Sequence, residues 1–134
     1  MRYLLDSSAI LSHHRKEPGW EQVHSLMEDA AAEITTASVC LAELARRLHD
    51  LGATEEQALA DVTAYETLMD KVIPIDATVA RSALALGQAS PERLPLVDAL
   101  IAAAAQTHDA ILVHRDQHFC HIPTHLMRQQ YLAG

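Results

Sequence analysis

The sequence predicts an α/β fold, a three-layer α/β/α sandwich around a small central parallel sheet. Three observations predict it. Short apolar runs that end in small polar or acidic residues alternate with longer amphipathic stretches along the chain. Strands separated in this way by helices cannot close as hairpins, so they pair in parallel and carry helices on both faces. Hydrophobic residues make up 49% of the chain and aromatics only 4%. The core must therefore be aliphatic and alanine-rich, which suits helices on a sheet better than a β-sandwich.

Taken in order, Tyr3-Leu4-Leu5 reads as a buried strand ending at Asp6-Ser7-Ser8, and a short helix begins over Ser7 to Leu11. His13 to Gly19 reads as a polar connector broken by Pro18 and Gly19. Trp20 to Ala32 reads as a helix, with Trp20, Val23 and Met27 at helical spacing as core or interface packing. Ile34-Thr35-Thr36 is a strand, and a helix opens at Ala37 or Ser38 and stops at Gly52. Thr54 caps a helix from Glu55 to Asp70 whose apolar side carries Leu59, Val62, Leu68 and Met69. Val72 to Ile75 is a strand weakened by Pro74, and Asp76 caps a helix to about Gln88. Pro95 suits the first turn of a helix ending at Thr107. Ala110 to Val113 is the last clear strand, and the tail from Cys120 reads as a short strand or a final helix from Thr124.

At 134 residues the chain is expected to form a single domain, 1–134, burying about two-thirds of its unfolded surface. Ten Lys and Arg against eighteen Asp and Glu give a net charge of −8, which excludes binding of nucleic acid through a broad basic surface. A confined contact at a cation-loaded site stays compatible with that charge. Cys40 and Cys120 give no disulfide framework, no signal-like segment opens the sequence, and no apolar run reaches membrane-spanning length. These features predict a soluble cytoplasmic protein with no membrane association.

The informative charges are those that interrupt apolar segments. Asp98 is the sole charged residue between Leu94 and Thr107, and Glu43 is the sole one between Ile34 and Ala45. A buried unpaired carboxylate is costly and needs a counter-charge or a proton. Only Arg46 and Arg47 lie close in sequence to Glu43, and no base lies within four residues of Asp98. Asp6 and Asp116 follow apolar strands, and ligands in open α/β sheets bind beyond the carboxyl ends of strands. Asp6 or Ser7 would also serve as a helix N-cap. Two acids at strand ends and two on helix faces can nonetheless converge, and such hard oxygen donors suit Mg²⁺ or Mn²⁺.

The order Asp6, Glu43, Asp98, Asp116 resembles the acidic quartet of PIN-domain nucleases, and the chain length resembles that of the VapC-type toxins among them. The matching pieces are YLLDSSAIL, ITTASVCLAEL, LPLVDALIAAAA and ILVHRDQHF, which together reach from residue 3 to 119. The resemblance implies that Asp6, Glu43, Asp98 and Asp116 are the catalytic residues and hold Mg²⁺ or Mn²⁺, with Ser8 orienting the first acid. It implies hydrolysis of RNA phosphodiesters in single-stranded loops, often of tRNA or rRNA, leaving a 5′-phosphate. It also implies a homodimer and a cognate antitoxin protein whose peptide covers the acidic groove, docking on helices 20–32 and 54–70. The chain departs from the family at the last motif. His114 stands where Thr or Ser is common, either replacing that hydroxyl as a hydrogen-bond partner or weakening the site, and His118 stands where a further acid is often found. Whether one metal or two are held stays open.

Other residues admit other readings. Arg15, Lys16, Arg46, Arg47 and Arg115 are the candidate RNA contacts, with solvated surface charge as the alternative. His114, His118, Cys120, His121 and His125 would make a zinc cluster, but their spacing matches no recognised finger, and surface or RNA-facing histidines fit better. Asp109 suits a turn. The rival function is a catalytically inactive module of the same fold that binds RNA or protein, with His114 and His118 marking a decayed site.

Overall fold

Residue-by-residue alternation along the central strand builds two cores at once. In the computed structural model, which describes residues 1–132, the last two positions of the predicted span 1–134 lie outside the described residues. Strand β1 (Arg2–Leu5) runs between β2 (Glu33–Ala37) and β4 (Ile111–His114). Strands β3 (Lys71–Ile73) and β5 (Gln129–Tyr131) form the edges, giving the order β3-β2-β1-β4-β5 with every pairing parallel. Successive strand side chains point to opposite faces. Leu4 and Leu112 accordingly join a core with the alanines of α6 (Leu96–Thr107) and with Val79, Ala83 and Leu86 of α5 (Ala77–Ala89). Leu5 and Val113 join the other core, built with α1 (Ser7–Arg15), α2 (Trp20–Glu28), α3 (Ser38–Asp50) and α4 (Glu55–Leu68). This is the expected three-layer sandwich.

Local chemistry sets most boundaries. Asp76 accepts from the Val79 N–H at 3.1 Å and caps α5. Thr54 caps α4 in a reciprocal box, its hydroxyl accepting from Gln57 N–H while the Gln57 side chain accepts from Thr54 N–H. Gly19 enters α2 at φ 93°, and a Cβ there would stand 2.9 Å from Leu132 Cβ, so only glycine lets the chain pass.

Several sequence expectations need correction. Helix α1 continues through His13 and His14 to Arg15, and Lys16 ends it in the left-handed region at φ 52°. Helix α2 stops at Glu28, four residues early, because Asp29 turns the chain by accepting from the Ala31 N–H. On α4 the buried stripe is Ala58, Val62 and Tyr65, while Leu59 and Leu68 are exposed. Strand β3 ends before Pro74, which has no N–H to give the ladder, and Pro95 precedes α6 as its N-cap residue. The tail forms a 3₁₀ turn (Gln117–His121) and then β5, with no helix from Thr124. Among the described residues no helix is long and apolar enough to cross a membrane.

Candidate functional site: four acids at the carboxyl edge of the sheet

Asp6 leaves β1 and Asp116 leaves the adjacent β4, so the parallel register that pairs Leu5 with Val113 brings both acids to the same edge. Glu43 comes from the middle of α3 and Asp98 from the first turn of α6, helices that touch one another.

Asp6 is buried and held from two sides. Its Oδ1 accepts from the Ser8 hydroxyl at 2.6 Å and from the Ala9 N–H at 3.0 Å. It is therefore both the N-cap of α1 and a member of the acidic group, so the two sequence readings hold together. The Ser8 hydroxyl also accepts from the Arg115 N–H at 2.9 Å, tying the start of α1 to the segment after β4. Ser7, which sequence reasoning treated only as a cap, donates to Glu43 Oε1 at 3.2 Å. Its place directly after Asp6 is the signal that could have identified it.

The electrostatics follow from this crowding. Burial pushes the Asp6 carboxyl up to about 7, and the charges of Glu43 and Asp116 push in the same direction against its hydrogen bonds. Burial raises Glu43, as do Asp98 and Asp116, while Ser7 and the more distant Arg47 charge oppose the rise. Asp98 is raised by burial and by Asp116, and lowered by its contact with His118. Four acids with only His118 and the Arg47 charge to oppose them form an oxygen-rich site. Such a donor set fits a hard divalent cation.

His114 is fully buried, which corrects its reading as a surface or RNA-facing histidine. Its Nδ1 accepts from the Asp116 N–H at 3.2 Å, and its Nε2 meets Gln129 Oε1 at 2.8 Å. Burial lowers its pKa, so the ring is neutral with the proton on Nε2. Phe119 packs edge-on against it, with ring centroids 4.9 Å apart. His114 is thus a hydrogen-bond partner of the Asp116 backbone. Gln129, absent from the sequence reading, fixes it from β5.

His118 is exposed, and its Nδ1 lies 3.1 Å from Asp98 Oδ2 and 3.3 Å from Asp116 Oδ1. Asp98, Asp116 and His118 form the one group of three metal-ligating side chains found among the described residues. The zinc cluster is not assembled: His121 pairs instead with Glu92 at 3.4 Å, and neither Cys120 nor His125 joins a donor group.

Of the five basic candidates, Arg46 and Arg47 line a cleft of about 390 Å³ with Ser7, Glu43 and Val97. Arg15 and Arg115 both approach Glu17, at 3.6 and 3.9 Å, and the Lys16 ammonium lies over the Trp20 ring.

The PIN domain model matches residues 3–124. No curated protein matches the chain by sequence. Among solved structures, a chain of VapBC2 from Rickettsia felis, bound to a promoter DNA fragment, is 20% identical with a TM-score of 0.78, covering 99% of this chain and 100% of that one. A chain of DNA-bound VapBC from Salmonella typhimurium is 19% identical with a TM-score of 0.74, covering 99% of both. A chain of VapBC-1 from nontypeable Haemophilus influenzae is 16% identical with a TM-score of 0.74, covering 98% of both. At these identities the likeness is one of fold, and the family match spans nearly the whole described chain: the protein belongs to the PIN-domain family.

Proposed function

We propose that this chain is a metal-dependent endoribonuclease and the toxin of a toxin–antitoxin pair. The observation that carries the reading is the gathering of Asp6, Glu43, Asp98 and Asp116 from four elements at the carboxyl edge of the sheet. Burial first, and neighbouring carboxylates second, raise Asp6, Glu43 and Asp98 there, whereas structural ion pairs lower carboxylate pKa values. Asp6, Glu43, Asp98 and Asp116 would hold Mg²⁺ or Mn²⁺, which supplies positive charge for a phosphate and eases deprotonation of water.

The surrounding residues have definable tasks. Ser8 and the Ala9 N–H orient Asp6, and Ser7 orients Glu43. With its carboxyl pushed up to about 7, Asp6 would shed its remaining proton on serving as a ligand. Arg46 and Arg47, beside Glu43, would meet RNA phosphates and hold the strand against the acids. Hydrolysis by water in line with the scissile bond would leave a 5′-phosphate on one fragment and a 3′-hydroxyl on the other.

The partner reading draws on the fold neighbours, which are described as VapBC complexes. An apolar groove lined by Ala45, Ala58 and Leu59 runs between α3 and α4, with Leu68 exposed further along α4. It would seat an antitoxin segment. Exposed Leu84, Leu96 and Val97 on α5 and α6 would cover one another in a homodimer. A cytoplasmic site of action goes with an RNA substrate such as tRNA or rRNA.

The test is incubation of total bacterial RNA with wild type or Asp98→Asn, in Mg²⁺ or Mn²⁺, followed by sequencing of 5′-phosphate ends. Discrete new ends in the wild-type reaction alone support the proposal. Identical ends in both reactions, or fragments bearing 5′-hydroxyls, reject it and favour an inactive binding module.

A further inference from the structure

The PIN-domain acids account for oxygen donors, but the group that comes together here also contains an imidazole. His118 Nδ1 is 3.1 Å from Asp98 Oδ2 and 3.3 Å from Asp116 Oδ1. Two adjacent ligands on an octahedral ion with bonds of about 2.1 Å stand about 3 Å apart. These are hydrogen-bond distances, and they are also the spacing of neighbouring ligands, so a cation here would take the place of the ring proton between the donor atoms. The ring is also aimed by its own backbone. Asp116 is the N-cap residue of the 3₁₀ turn, and its Oδ1 accepts from the His118 N–H at 2.9 Å. That bond, between residues two apart in the chain, places the imidazole beside the two carboxylates. At 60% side-chain exposure the ring has freedom to adjust without disturbing the core.

The geometry points to His118 as a nitrogen ligand of the cation held by Asp98 and Asp116, making the site selective for a transition ion such as Mn²⁺ over Mg²⁺. This rests on the metal-site reading above and adds which donor this particular chain contributes. Mg²⁺ is bound by oxygen and gives up its waters reluctantly, whereas first-row transition ions accept imidazole, Mn²⁺ the most weakly of the series. A neutral imidazole brings no negative charge, so it contributes less to holding a hard ion than to holding one that gains from nitrogen. His121, already paired with Glu92, is no substitute donor.

The experiment uses the full chain loaded with Mn²⁺, in wild type, His118→Ala, His118→Asp and Asp98→Asn, each checked for fold by circular dichroism. Pulsed electron paramagnetic resonance reads ¹⁴N coupling to the bound ion, and competition with Mg²⁺ gives the ratio of affinities. The expected result is ¹⁴N coupling in wild type that is lost in His118→Ala, with the Mn²⁺-to-Mg²⁺ affinity ratio falling roughly tenfold or more. His118→Asp should lower the ratio by strengthening Mg²⁺ binding. Mn²⁺ binding without ¹⁴N coupling, or coupling that persists in His118→Ala, overturns the inference and leaves the acidic site intact. Failure of wild type to bind Mn²⁺ at all, or unchanged binding in Asp98→Asn, overturns the metal-site reading itself and this inference with it.

Discussion

His114 Nε2 donates to Gln129 Oε1 at 2.8 Å, which leaves His114 Nδ1 bare to accept the Asp116 N–H. An edge strand thereby sets the tautomer of a buried ring that in turn positions an acid of the site. Gln129 is itself fixed, its amide donating to the Phe119 carbonyl at 2.8 Å. Gln129→Leu would strand the Nε2–H inside the protein at a cost of about 1–3 kcal/mol. Urea denaturation should register that loss, and calorimetry a weaker affinity for Mn²⁺. Unchanged values in both would remove Gln129 from the account.

Asp6 makes stability depend on pH in a specific direction. Its carboxyl is raised from 3.8 to about 7 in the folded protein, so between these values the folded state binds more protons than the unfolded one. The contribution of Asp6 to stability therefore falls as pH rises from about 4 to 7 and is level above that. At about 1.4 kcal/mol per pKa unit, the loss has a ceiling on the order of 4 kcal/mol. Metal-free Asp6→Asn should accordingly melt higher than wild type at pH 8, with the difference shrinking toward pH 4. A variant equally or less stable at pH 8 would contradict the assignment.

Ser8 works against that elevation, since its hydroxyl donates to Asp6. Ser8→Ala should raise the Asp6 carboxyl further and release the Arg115 N–H from its partner. Mn²⁺ affinity should then fall more at pH 6.5 than at pH 8, because the cation must displace a more tightly held proton. Equal loss at both values would mean that Ser8 acts only through packing.

Arg46 and Arg47 border Glu43 in the cleft. If the chain is the proposed nuclease, then in an Asp98→Asn background, used to suppress cutting, changing either to Gln should weaken RNA binding evenly across sequences. The slope of affinity against salt should drop by about 1 for each residue that meets a phosphate. A slope that does not move would make them ordinary surface charge.

The architecture and the acids were legible because their signals are local and mutually reinforcing. An apolar run ending in Asp6, lone charges at Glu43 and Asp98, and the Thr54 and Asp76 caps each follow from a few consecutive residues. The supporting partners were not. His114 and Gln129 lie 15 residues apart, and Ser7 and Glu43 lie 36 apart, so their bonds exist only once the sheet has assembled. The exposure of Leu59 was equally hidden. Periodicity identifies an apolar stripe, but the packing partners on α3 decide that Ala58, Val62 and Tyr65 face inward. The surface reading of His114 does not hold for a related reason: a polar residue can be buried when two fixed groups satisfy both its ring nitrogens.

Calorimetric titration of Mn²⁺ into wild type, Asp6→Asn and Asp98→Asn asks whether four acids on separate elements form one cation site. Wild type should bind, and both variants should lose binding while keeping their folded circular dichroism. Equal binding by all three proteins, or binding by none, would mean that the acids form no such site.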